Sequence, residues 1–415
     1  MSECSPSRLI SFLEARLPDG LALLEAWVGQ NSFTANAPGV DALGRMTAEA
    51  FRSLGFEPEM VPSVTPGYGH HLFLRRRGNV NSRAPIVLVT HLDTVFPPEE
   101  EKANDFHWRP EPGEGRIYGP GTVDIKGGTL LIWLALQALA ELDPEAFERT
   151  DWLIAANASE EALSADFGLR TAERCQPSRG GAARAEAVLV FEGGLLRGRE
   201  FTLVTGRKGK ADYRVAATGR GAHAGSYHRE GRNAIVALSR AIVDLARLTD
   251  YGRDLTVNVG AVRGGTVVNR VPHEAFCDLE MRAFDDRVFA EACGAIERMA
   301  GGSAEVDGCT LAVAQTGSTP AWPGDSGTAR LLSLFTEVAA DQCASVVPER
   351  RGGLSDANYL CGLGPTLDGL GPSGGYAHCS ERSSDGSKTP EFLETACFVP
   401  KAALVVEALR RLCGG

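Results

Sequence analysis

Three short apolar runs, each leading to a residue that can hold a divalent metal, limit what this chain can become. Ile86-Val87-Leu88-Val89-Thr90 reaches His91, Trp152-Leu153-Ile154-Ala155-Ala156-Asn157 leads to Glu160 and Glu161, and Val188-Leu189-Val190-Phe191 ends at Glu192. Runs of this length bounded by polar residues read as buried parallel strands, and ligands of open α/β sheets bind beyond the carboxyl ends of such strands. Asp124, closing Gly119-Pro120-Gly121-Thr122-Val123, and His378, following Gly374-Gly375-Tyr376-Ala377, add two more donors. Together they are about what a pair of metal ions requires.

The remaining pattern supplies the frame. Residues 9–28 carry apolar side chains at helical spacing, a second helix is expected at about 42–54, and 127–142 reads as a buried helix between two of the strands. Such alternation makes a parallel sheet covered by helices on both faces. From about Arg207 the order changes to strand 213–217, helix 233–248, strands 256–262 and 275–282, helix 286–299 and strand 310–314. That is βαββαβ, the order of a ferredoxin-like unit. Pro320, Pro323 and Gly324 then punctuate a return to α/β patterning, with a helix near 328–340 and a strand near 363–370. The expected fold class is α/β: a large domain with a mainly parallel sheet covered by helices, residues 1–206 and 319–415, interrupted by an inserted smaller domain, 207–318.

With 415 residues the chain can bury a substantial core. Its net charge of -11 comes without a basic run, so phosphate-backbone neutralisation leaves no footprint and nucleic acid is not an expected partner. The start shows no basic region followed by an apolar core, which sets the expectation of a cytoplasmic protein. The stretch from Leu130 extends roughly a dozen residues before Glu141, short of the ~20 that span a bilayer, so no membrane is expected. Ten cysteines without a Cys-x-x-Cys pair read as reduced thiols rather than a disulfide framework.

Taken singly, each donor has an ordinary reading: a strand-end histidine bonded to a neighbouring acid, a helix N-cap at Asp124, a loop acid at Glu192, a loop histidine at His378. Taken together they do not. His91 is a ligand candidate with Asp93 as the acceptor that fixes its tautomer. The carboxylate of Asp124 has two oxygens and can bridge two ions. Glu160 and Glu161, adjacent after an apolar strand, would repel each other unless a cation or proton intervenes, so one can ligate while the other takes a proton.

These residues resemble a family of co-catalytic metallopeptidases that includes glutamate carboxypeptidase, aminoacylase, acetylornithine deacetylase and succinyl-diaminopimelate desuccinylase. Thr90-His91-Leu92-Asp93-Thr94-Val95, the segment around Asp124, Ser159-Glu160-Glu161, Phe191-Glu192 and the segment ending at His378 match its motifs in order, and the βαββαβ insertion matches its lid. The stretch from Gly353 to Gly371 is most similar to the glutamate-carboxypeptidase branch. The resemblance implies two zinc ions per subunit, one held by His91 and Glu192, the other by Glu161 and His378, with Asp124 bridging; cobalt or manganese would suit the same donors. It implies Asp93 as the orienter of His91, Glu160 as general base, a cis peptide after Asp124, and a homodimer formed through the lid. In the lid, His223 of Gly221-Ala222-His223-Ala224-Gly225 would steady the oxyanion, and Asn269 and Arg282 would grip a substrate carboxylate. Ser159, where many relatives carry an acid, and Ala162-Leu163-Ser164-Ala165-Asp166, in place of a glycine-rich continuation, depart from the pattern. Cys379, next to His378, adds a thiol that could compete as a ligand.

The expected function is hydrolysis of an amide beside a free carboxylate, in a small peptide or an acyl-glutamate-like compound. An N-acyl-amino-acid deacylase uses the same machinery with another acyl pocket, and a non-catalytic metal-binding relative would have lost a ligand or the base.

Overall fold

The computed structural model describes residues 6–79, 84–162, 164, 166–176, 182–299 and 305–414. The first five residues, used in the expectation about a leader, and Leu163 and Ala165 of the departing segment lie outside them. The chain forms two compact units, Met1–Thr205 with Gly324–Glu349 and Ser355–Gly415, and Gly206–Pro323 with Arg350–Leu354. The sequence reading gave all of 319–415 to the first unit. Arg350–Leu354 groups with the second instead, because the Lys208 amide donates to the Arg351 carbonyl and the guanidinium of Arg282 donates to the Gly352 carbonyl at 3.0 Å.

In the first unit one sheet runs, edge to edge, Glu57–Pro62, His70–Arg76, Trp152–Asn157, Ile86–His91, Ala187–Val190 and Thr366–Leu367. The last four are mutually parallel; the first two join antiparallel. Every residue of Trp152–Asn157, Ile86–His91 and Ala187–Val190 is buried, which is why these strands read as unbroken apolar runs rather than alternating ones. Trp152 is fully buried and donates its indole N–H to the Phe147 carbonyl. Truncating it to alanine should cost ~3–5 kcal/mol.

Helix Gly127–Leu142 packs with Pro6–Gly29 and Phe398–Gly414. By length and composition Thr122–Leu142 could cross a bilayer, yet 83 % of it is buried inside the fold, so its apolar surface faces protein. The helices expected at 42–54 and 328–340 form as Ala37–Phe51 and Ser326–Asp341, started by side-chain caps from Asn36 and Asp325. The strand expected over 363–370 shortens to Thr366–Leu367. A second, antiparallel sheet of Gly374–Gly375, Phe392–Glu394, Arg116–Tyr118 and Arg109–Glu111 supports the loops that carry Asp124 and His378. The nine cysteines among the described residues are free.

The second unit has its own antiparallel sheet in the order Thr256–Gly264, Glu274–Ala283, Gly209–Thr218, Cys309–Thr319, Glu305–Val306, with helices Ala234–Ala246 and Asp286–Arg298. This is the expected βαββαβ order with one two-residue strand added. Asn233 and Asp285 cap the two helices, and Tyr213, Leu238, Met281 and Ile296 meet in a separate core.

Candidate metal centre

Strand register places the first donors. His91 lies opposite Asn157 in the parallel pair, and the Phe191 amide donates to the Val89 carbonyl, so Glu192 leaves the sheet beside His91. The imidazole is buried, with Nδ1 3.0 Å from the backbone carbonyl of Asp93. An N–H donated there frees Nε2, which lies 3.0 Å from Asp124 Oδ1 and 3.8 Å from Glu192 Oε1. Asp93 thus faces Nδ1 with its carbonyl and, at 3.5 Å, with carboxylate Oδ1, which also accepts from the Glu160 amide.

Asp124 sits in non-helical backbone (φ -125°, ψ 84°) just before helix Gly127–Leu142, and the Asp124–Ile125 peptide is cis, as the resemblance implies. Close packing of main chain sets its position: a Cβ on Gly128 would stand 2.1 Å from the Phe191 carbonyl oxygen, and one on Gly371 would stand 2.2 Å from the same atom. Only glycine allows either approach. The amides of Val123 and Asp124 donate to Glu391 Oε1 at 2.8 and 3.1 Å. Glu391 also donates its own amide to the Cys379 carbonyl, so one residue ties the Asp124 loop to the segment that follows His378. His378, in left-handed backbone geometry (φ 67°), brings Nε2 to 3.3 Å from Asp124 Oδ2 and 3.2 Å from Glu161 Oε2. Cys379 turns its thiol to the Glu381 carbonyl, 3.7 Å away.

The turn bearing Glu160 and Glu161 is held amide by amide. Ala158 donates to His71 Nδ1 (3.1 Å), Ser159 to Asn157 Oδ1 (3.0 Å), Glu160 to Asp93 Oδ1 (3.0 Å) and Glu161 to Asp93 Oδ2 (3.2 Å). Thr34 Oγ1 donates to Asp93 Oδ2 at 2.6 Å, and Asn157 Nδ2 to Asp356 Oδ1 at 2.7 Å. The carboxylate of Glu160 accepts no hydrogen bond among the described residues.

Electrostatics state what this cluster lacks. Burial disfavours the charged form of His91, yet the carboxylates of Asp124 and Asp93 outweigh it and hold its pKa well above the ordinary value. Contacts with Asp124 and Glu161 push His378 up to about 11. Loss of hydration at the half-buried Asp124 would by itself raise it, but the two imidazoles bring it below the usual carboxylate range. Burial raises Glu160, with Glu192, Asp356 and Glu161 adding to it, and burial likewise raises Glu161. Burial takes Glu391 up to about 8 and Asp356 up to about 7. Acids outnumber bases here, and both imidazoles take up protons to compensate. Donor atoms of His91, Asp124 and Glu161 lie within 4.8 Å of one another. A mixed imidazole and carboxylate set that collects protons when no other cation is present fits a divalent metal.

The structure thus brings together His91, Asp93, Asp124, Glu160, Glu161, Glu192 and His378. The other three candidates belong to the second unit. His223 is exposed in its loop, where Nδ1 accepts from the amides of Gly225 and Ser226. Asn269 is exposed in a turn, its carbonyl accepting from the Ala224 amide. Arg282 is already engaged: Nε and one terminal nitrogen each lie 3.0 Å from the Glu280 carboxylate, and the other donates to Gly352. Sequence reasoning missed His71, Asp356 and Glu391.

Residues 205–304 match the M20 peptidase dimerisation domain. Over 384 residues the chain is 27 % identical to carboxypeptidase G2 of Pseudomonas sp. (strain RS-16), covering 91 % of this chain and 88 % of that one. Among solved structures, aminopeptidase PepT from Bacillus cereus is similar with a TM-score of 0.72 at 22 % identity, covering 95 % of this chain and 98 % of that one. The M20 family metallo-carboxypeptidase Sso-CP2 from Sulfolobus solfataricus follows with a TM-score of 0.66 at 17 % identity, covering 96 % and 100 %. With a donor cluster for a divalent metal at the strand ends, a matching dimerisation domain and a carboxypeptidase relative along nearly its whole length, this chain is similar to the M20 peptidases and is a metal-dependent peptidase or amidohydrolase.

Proposed function

We propose that the protein is a dinuclear zinc hydrolase that cleaves an amide bond next to a free carboxylate, in the manner of a glutamate carboxypeptidase. One observation carries the reading: the two oxygens of Asp124 face different partners, Oδ1 towards His91 and Oδ2 towards His378. His91 and Glu192 would hold one ion, His378 and Glu161 the other, with Asp124 between. When bound, such a pair lowers the pKa of water, polarises a carbonyl and stabilises the charge that develops on its oxygen. Glu160 accepts the proton of the attacking water and returns it to the leaving amine. Its turn, fixed through four amides, keeps the carboxylate in place. The Asp93 carbonyl takes the Nδ1 proton of His91, so Nε2 is the nitrogen left to a metal once its own proton has gone.

In the lid, Arg282 and Asn269 would recognise the substrate carboxylate, which then competes with Glu280 for the guanidinium. His223 keeps Nε2 available to donate to an oxyanion, because Nδ1 is used as an acceptor. A homodimer through the second unit is supported by the unpaired edge of strand Thr256–Gly264 and by exposed Val236, Val243, Val262 and Val268.

The test is a mass-spectrometric screen of zinc-reconstituted protein against dipeptides and N-acyl amino acids with a free α-carboxylate, with Glu160→Gln as control. Hydrolysis that disappears in the variant is expected. Release of a simple acid instead of a peptide fragment would replace the carboxypeptidase reading with a deacylase, and no hydrolysis by the wild type would overturn both.

A further inference from the structure

Of the four acceptors that hold the Glu160 turn, three come from Asp93 and from Asn157 in the turn itself. The fourth, His71, comes from the antiparallel strand that pairs with Trp152–Asn157 and from no motif. It is fully buried in strand His70–Arg76, beside the ring of Phe167 at 5.4 Å. The Ala158 amide donates to Nδ1 at 3.1 Å, which fixes the ring proton on Nε2, and Nε2 donates to Asp166 Oδ2 at 3.3 Å. Asp166, also buried, is held by the Val64 amide and by the Ser164 hydroxyl, both at 3.2 Å. Burial keeps His71 below its ordinary pKa against the pull of Asp166 and Asp93, with Arg170 also acting to lower it, so the ring stays neutral with Nδ1 free to accept.

A buried imidazole and carboxylate are costly where leucine and valine would fill the space, unless the hydrogen bonds they make are needed. Among the described residues, the hydrogen bond this pair makes towards the site is the one from the Ala158 amide, two residues before Glu160. Asp166 lies in the segment 162–166 that departs from the family's glycine-rich continuation, so the departure supplies the partner of His71.

We propose that His71 and Asp166 form a positioning pair for Glu160: Asp166 holds the His71 ring in the tautomer whose Nδ1 anchors the Ala158 amide and so fixes the turn that aims the base. The inference rests on the reading of Glu160 as general base.

Asparagine places an oxygen where Nδ1 stands, whereas glutamine reaches the place of Nε2. His71→Asn should therefore keep the anchor on Ala158, and His71→Gln should keep only the contact with Asp166. In zinc-reconstituted full-length protein, His71→Gln is expected to lower kcat on the order of 10- to 100-fold, with KM and bound metal unchanged. His71→Asn is expected to restore kcat close to wild type. Wild-type kcat in His71→Gln, or equal losses in both variants, would overturn the proposal while leaving Glu160 as base. Should either variant not fold, the imidazole nitrogen spectrum of the wild type decides: an Nε2–H ring supports the anchor, and an Nδ1–H ring overturns it. A wild type without hydrolysis removes the functional reading and the positioning role together, and is told apart by the silence of the wild type itself.

Discussion

The two halves of the proposed metal centre are built differently. His91 ends a fully buried strand, its side chain 1 % exposed, and its partner Glu192 leaves the neighbouring strand of the same sheet. His378 sits in a loop in left-handed geometry, its side chain 53 % exposed, and its partner Glu161 lies in a short turn. Asp124 joins them. A donor fixed by a sheet has little freedom left to lose when it binds a metal, whereas a loop donor must be ordered by its neighbours. The His91 half should therefore bind more tightly and depend less on its surroundings than the His378 half.

Glu160 belongs to neither half, and its removal sets the upper limit of any effect. Glu160→Gln should lower kcat by ~10²–10⁴-fold, the usual range for a positioned general base, while metal content stays as in the wild type. Kinetics alongside metal analysis checks this. Metal loss in the variant would mean that Glu160 is itself a ligand and that the division into two halves is wrong.

Replacing the histidines tests the comparison directly. In metal-free protein, His91→Ala leaves the carboxylates of Asp124 and Glu192 buried with a partner gone, which should cost ~3–5 kcal/mol. His378→Ala removes a half-exposed contact and should cost at most about 1 kcal/mol, because solvent screens it. Thermal unfolding in chelator measures both, and zinc titration of His378→Ala should retain the tighter of two binding phases. Equal destabilisation by the two changes would break the asymmetry.

Both imidazoles hold raised pKa values in the metal-free fold, so protons must leave before a metal can bind. Metal affinity should rise with pH through the neutral range, and calorimetry in buffers of different ionisation enthalpy should show proton release. Metal-free stability should move oppositely: the contribution of His378 is complete below its unfolded value near 6.5 and is lost as pH climbs towards about 11. An affinity that does not change with pH would show that the imidazoles are neutral before metal arrives.

The same contrast explains what the sequence disclosed. Strands buried on both faces carry their burial in every residue, so the runs ending at His91, Asn157 and Val190 and the donors just beyond them were legible. The βαββαβ order was legible because its helices carry caps and its strands carry turns between them. Contacts that cross the chain at long range were not. Nothing local to His71 announces Ala158, and nothing near Arg282 announces that Glu280, two residues away on the same strand face, already holds its guanidinium. Nor does the sequence announce that Asp93 meets His91 with its carbonyl as well as its carboxylate, or that the carboxylate also takes two amides of another strand's turn.

Glu391 connects the two halves, and its replacement should have the smallest effect while bearing on the comparison most finely. Its Oε1 takes the amides of Val123 and Asp124, and its pKa is raised to about 8 by burial. Below about 4.5 the group is neutral in folded and unfolded chains alike. Between there and about 8 the unfolded chain ionises while the fold keeps the proton, so stability falls as pH rises. Glu391→Gln keeps an oxygen for both amides and removes the ionisation. In metal-free protein its Tm should match wild type near pH 4.5 and exceed it by a few degrees at pH 8, at roughly 2 °C per kcal/mol. With metal bound, the positive charge beside Asp124 lowers the pKa of Glu391, and the difference should shrink. A Tm gap that ignores both pH and metal would show that Glu391 is already ionised in the fold, and that the link between the strand-end donors and the loop donors is an ordinary charged hydrogen bond.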